Sequence, residues 1–237
     1  MNQHQFQAPP LSKINKSLLI AAGVCFLATA ISRSIGAFSL VEILGLSNGG
    51  LGDGLFFQLV TYPLVETQLM SFVFSGLIIW FIGSELETLW GARVYVRFLL
   101  LTVLGVGILY TLINLGMNSY SLPLHGLSGI NFALLTAYAL LYPDRQMSLM
   151  MIFPMRARTF CLILAAIEAY LALFSSISSS WPHLFAMGFS FLIIHFQRVP
   201  LLKKLLNSSF TPSRTKKKGH LYVVKEEDDK KPPKYWQ

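Results

Sequence analysis

Two side chains in this sequence have the types needed for acyl transfer: Ser128, within Pro123-Leu-His-Gly-Leu-Ser-Gly-Ile-Asn-Phe132, and His183, within Trp181-Pro-His183. A hydroxyl flanked by Gly126 and Gly129 at the mouth of an apolar segment has the room a nucleophile needs. An imidazole within reach would take its proton as the oxygen attacks a carbonyl. The competing readings are structural. Small residues let membrane helices pack closely, and a histidine near a helix start can serve as a cap at the interface.

The surrounding chain sets the class. It has 237 residues, 54% of them hydrophobic and 13% charged, with a mean hydropathy of +0.56, which is the composition of a membrane protein. The net charge of +8 lies in short loops and a tail rather than on an amphipathic face, so it orients a chain in a bilayer and does not read as a nucleic-acid footprint. Cys25 and Cys161 each fall inside an apolar run. They outline neither a disulfide framework nor a metal cluster, and no cofactor is expected.

Six apolar runs must position the two side chains: 18–31, 64–82, 98–115, 127–141, 160–174 and 182–196. Residues 1–16 read as a polar lead and 17–198 as an all-α membrane domain. Residues 199–237 read as a charge-blocked, mostly disordered tail with at most a short extended piece at Leu221 to Val224. The connection from Gly36 to Gln58 is too broken to span and too apolar to float in water, so it is expected to lie in the interface. A charged turn is expected over Gly83 to Arg93. Pro182 is expected at the first position of the sixth helix, after a small polar loop at Ser175 to Ser180.

Six spans place both termini on one side. Of the nineteen Lys and Arg, all except Arg33 fall on that side, which the positive-inside rule makes cytoplasmic. Depth follows by counting. Ser128 lies fifteen residues before Pro143, and His183 fifteen before Arg198. At about 1.5 Å per residue both stand roughly 22 Å above the inner boundary of a core about 30 Å thick. They share a level, recessed from the outer surface, that water could reach through a cavity. Periodicity alone does not make the two helices neighbours.

These residues resemble the rhomboid intramembrane serine proteases, whose dyad is a serine in Gly-x-Ser-Gly on the fourth core helix and a histidine on the sixth. Gly126-Leu-Ser128-Gly129 is similar to the first element. Phe132 matches an aromatic that packs near the histidine. His183 with Ala186 and Ser190 looks like His-x-x-Gly-x-x-x-Gly with small residues in place of both glycines. Gln58 to Pro63 and Glu87 to Arg93 are similar to the segments that begin and follow the second helix. The resemblance spans roughly Leu18 to Phe196 and implies a six-helix bundle in a bacterial inner membrane. It also implies a Ser128–His183 dyad and single-span membrane proteins as substrates. Lys13, Lys16 and Ala28-Thr-Ala30 have the outline of a cleavable signal peptide. The resemblance needs this helix in the core, so it is expected to stay.

The chain departs from the pattern on the second helix. The usual His-x-x-x-Asn, which helps a backbone N–H hold the oxyanion, is replaced by Ser71 and Ser75, and a further histidine by Glu66. Losing an oxyanion donor typically costs about 100- to 1000-fold in rate. Three functions therefore compete. The first is proteolysis by Ser128 and His183. The second is an inactive rhomboid-like protein that binds transmembrane segments. The third is a small transporter using Glu168, whose charge is expensive mid-span and is expected to be paired inside the bundle or to relay protons. The transporter reading lacks the internal repeat and paired broken helices common in that class. His125 is either a rival base or a solvated loop residue, and His195 is expected at the interface.

Overall fold

A computed structural model describes residues 10–36, 39–117, 123–149, 153–174 and 177–197. The readings of residues 1–9 and of the tail fall outside them. The described residues form an all-α membrane protein. Four helices are long and apolar enough to cross a bilayer: Lys13–Ile35, Leu69–Trp90, Ala92–Gly116 and Ala157–Phe174. Two shorter apolar helices, Ser128–Leu141 and Trp181–Phe196, accompany them.

Helix α1 (Lys13–Ile35) opens on Ser12, whose side chain accepts from Asn15 N–H, and closes on Gly36 at φ 67°. After it come three one-turn helices, α2 (Leu40–Leu44), α3 (Asn48–Gly52) and α4 (Gln58–Thr61), and a 3₁₀ turn at Tyr62–Leu64. Helix α5 (Leu69–Ile78) runs through a π-helical stretch, Ile79–Gly83, into α6 (Ser84–Trp90). Gly91, at φ 79°, then reverses the chain into α7 (Ala92–Met117), a backbone conformation that glycine adopts without steric cost.

The centre of the fold is α8 (Ser128–Leu141). Nine of its fourteen residues are buried, against α10 (Ile177–Gln197), α9 (Ala157–Phe174), α7 and α5. Ser190 Oγ, fully buried on α10, donates to the Ala133 carbonyl at 2.8 Å. Ala186 is likewise fully buried. Small side chains thus let the two helices approach as membrane helix pairs do. The outer helices turn Ile20, Val24, Leu27 and Ile31 of α1, and Leu162, Ile167 and Leu173 of α9, outward, the surface a bilayer would cover.

Four features add to these expectations or change them. The segment after α1 is folded into short helices, which hydropathy did not indicate. Gln58 is fully buried, donates to the Glu42 and Ile43 carbonyls and accepts from Ser47 N–H, so a polar side chain organises what hydropathy left shapeless. The second helix starts at Leu69 rather than Leu64 and does not turn at Gly83. It continues to Trp90 because the charges there have partners: Glu85 meets Tyr138 and Arg145, and Glu87 accepts from Ser12. The last helix begins at Ile177, leaving Pro182 inside it. Finally, Gln146–Leu149 and Phe153–Arg156 pair as an antiparallel hairpin, β1 and β2, between α8 and α9.

Candidate active site

The Ser128 helix is held from the side its chain enters. Leu46 and Leu124 exchange both backbone hydrogen bonds at 2.9 Å, and Gly126 N–H donates to the Tyr62 carbonyl at 3.0 Å. Leu127 N–H donates to Glu66 Oε1 at 2.9 Å. Leu127 and Leu46 are fully buried and Glu66 nearly so. Tyr62 anchors this corner by donating to the Val103 carbonyl, and burial pushes its phenol above the ordinary range. The turn into α8 needs Gly126, which sits at φ 103° with the Glu66 carboxylate 3.2 Å from where a Cβ would be. A Cβ on Gly129 would meet open space, so the close approach lies on one side of the serine only.

Ser128 is the first residue of α8, so its N–H, like the next few, has no carbonyl within the helix to bind. Its Oγ stands 2.8 Å from Nε2 of His183 on α10. The other ring nitrogen, Nδ1, is 3.1 Å from Oε2 of Glu168 on α9. Phe132, one turn beyond Ser128, stacks on the imidazole with centroids 4.8 Å apart and planes 26° apart. Three helices thus bring a hydroxyl, an imidazole and a carboxylate into one line, and an aromatic ring fixes the plane of the middle member. Such a chain can move a proton from the hydroxyl to the ring and brace the ring as it does so.

The remaining residues singled out from sequence stand apart from this line. Ser75 is buried and its Oγ accepts from Asn131 Nδ2 at 2.7 Å, which ties α5 to α8. Ser71 is half-buried one turn earlier. His125 donates Nδ1–H to the Pro123 carbonyl at 2.9 Å, bracing its own loop. His195 is exposed and stacks on Phe191. Glu66 is not on the second helix at all but in the extended link before it. Sequence reasoning missed two partners. Glu168 is paired inside the bundle, as its cost in an apolar run implies, but its partner, His183, is not legible in the sequence. Asn131, one turn along from Ser128, had been passed over, although its Oδ1 is buried with no hydrogen-bond partner among the described residues. No group of three or more His, Cys, Asp or Glu that could hold a metal occurs among the described residues.

No curated protein matches the chain. Residues 16–203 match a family described as eukaryotic integral membrane protein (DUF1751). That match covers every described helix after the first turn of α1, the whole line from Ser128 to Glu168 included, and the chain belongs to this family of integral membrane proteins.

Proposed function

We propose that the protein is an intramembrane serine endopeptidase of rhomboid type, which cleaves single-span membrane proteins through an acyl-enzyme on Ser128. The observation that carries this reading is the 2.8 Å approach of His183 Nε2 to Ser128 Oγ, within general-base reach. Ser128 Oγ bonds to the scissile carbonyl carbon while its proton passes to His183 Nε2. The ring then returns that proton to the amine as the C–N bond breaks. Water, deprotonated by the same nitrogen, displaces Ser128 and releases the acid. The negative oxygen forms beside the start of α8, where the free Ser128 N–H and the helix dipole favour charge. A helical substrate hides its carbonyls, so it must unwind locally, and glycine or small residues near the bond ease this.

In this reading six helices cross the bilayer, with both termini cytoplasmic and the Ser128 level near the far interface. The membrane is an internal or plasma membrane. Because the family is described as eukaryotic, a bacterial inner membrane finds no support. A second reading, a rhomboid-like protein that binds transmembrane segments without cutting them, is favoured by the short side chains of Ser71 and Ser75, where the rhomboid proteases carry histidine and asparagine, and by Ser75 being buried against Asn131 Nδ2. Purified protein and its Ser128→Ala variant decide between them. The proteolytic reading expects covalent labelling by a fluorophosphonate and cleavage of a single-span substrate, both lost in the variant. Labelling absent in the parent, or cleavage that survives Ser128→Ala, overturns it.

A further inference from the structure

We infer that Glu168 is a positioning residue, which holds His183 in the one tautomer and ring orientation that let Nε2 act on Ser128. The inference rests on the peptidase reading and adds a third member to its two-residue site. Glu168 and Arg158 are the only charged residues of α9. Glu168 sits in the middle of an apolar run, its side chain 12% exposed, and turns inward while Ile163, Ile167 and Leu171 turn out. A carboxylate at that depth is costly unless a donor meets it. The donor it meets is Nδ1 of His183.

The consequence is a choice between nitrogens. A neutral imidazole carries one N–H, and a carboxylate can only accept, so the ring proton belongs on Nδ1 and Nε2 is left bare. The bare nitrogen is the one at 2.8 Å from Ser128 Oγ, whose hydroxyl can then donate to it. The Phe132 stack cannot make this choice. It restrains the plane of the ring but is indifferent to a half-turn about the Cβ–Cγ bond, which would interchange the ring edges. Among the described residues the polar groups that meet His183 are Glu168 and Ser128; both favour this edge, but a hydroxyl can donate or accept, so the acceptor-only carboxylate is what selects the tautomer. During acylation His183 gains a proton at Nε2 and becomes positive. Glu168 takes no proton and remains the counter-charge beside Nδ1.

Two measurements on the full chain test this. Selective ¹⁵N labelling of histidine, with resonances assigned by comparison with His183→Ala, reports which ring nitrogen is protonated. The proton is expected on Nδ1 in the parent and redistributed toward Nε2 in Glu168→Gln, whose amide can donate as well as accept. In the same variant kcat is expected to fall roughly 10²- to 10⁴-fold with KM little changed and thermal stability monitored alongside. A parental His183 protonated on Nε2, or Glu168→Gln cleaving at the parental rate, overturns the inference while leaving the Ser128 reading intact. A parent that neither labels nor cleaves removes the peptidase reading. The nitrogen spectrum then still decides the positioning claim, because loss of the Nδ1 proton in Glu168→Gln supports it and an unchanged spectrum overturns it.

Discussion

At the end of α8 away from Ser128, the polar side chains are spent on one another. Tyr138 donates to Glu85 at 3.2 Å, and Arg145 pairs with the same carboxylate. Asn15, fully buried, accepts from Tyr95 Oη at 2.8 Å and donates to Ser84 Oγ at 3.3 Å. These bonds tie α1, α6, α7 and α8 together. At the Ser128 end the polar residues form a line instead of a mesh, with a hydroxyl at its tip and a carboxylate at its base. A mesh fixes helices. A line that ends on a hydroxyl at the start of a helix is, in the peptidase reading, one that can also act on something outside it. The comparison is sharpened by variants that separate rate from stability.

The largest effect is expected at the tip of the line. Ser128→Ala and His183→Ala should each remove nearly all cleavage, on the order of 10⁵- to 10⁶-fold, and the double variant should lose no more, because residues that act as a unit are not additive. Unfolding temperature should hardly move in Ser128→Ala, whereas His183→Ala also takes the donor from the buried Glu168 carboxylate and should lower it; a pair of single losses in rate that multiply in the double variant would break the comparison. Next comes the stitch behind Ser128. Glu66→Ala strands the buried Leu127 N–H, a loss of about 1–3 kcal/mol, whereas Glu66→Gln keeps an acceptor oxygen and should lose much less in the same denaturant titration.

At the mesh, Asn15→Ala removes two hydrogen bonds and should lower stability by about 1–2 kcal/mol with kcat unaltered in the folded fraction. A fall in kcat would mean the two ends are coupled. The smallest effect belongs to Ser75→Ala, about 0.5–1.5 kcal/mol for its bond to Asn131. Turnover that drops by more than this stability loss would return Ser75 to the oxyanion site.

The spans were legible because runs of apolar residues near helix length leave few alternatives, and the fold class follows from them. The common level of Ser128 and His183 was also legible, since rise per residue is nearly constant. Their contact was not, because counting along two helices says nothing of which faces meet. Glu168 shows the same limit: its cost in an apolar run is visible in sequence, but its aim at His183 depends on the rotation of α9. The internal order of the connection from Gly36 to Gln58 was not legible for another reason. Its order comes from bonds such as Gln58 to Glu42 and Ile43 and Leu46 to Leu124, which are set by distant partners, and hydropathy does not register them. Likewise the run of apolar residues from Gln146 to Arg156 gave no turn signal strong enough to suggest a hairpin.

One feature of α8 bears on the lipid. At fourteen residues it is about 21 Å long, well short of a hydrocarbon core of about 30 Å. A lone helix of that length would have to thin the surrounding bilayer or recruit neighbours, at a fraction of a kcal/mol for each ångström of mismatch. Here the outward faces of α1 and α9, whose apolar windows are only 11% buried, are the surface for the acyl chains, and α8 is packed behind α9, α7, α10 and α5. Hydrophobic matching is therefore a task of the rim. The centre is released from it, and the height of Ser128 is set by protein packing rather than by the thickness of the membrane around it.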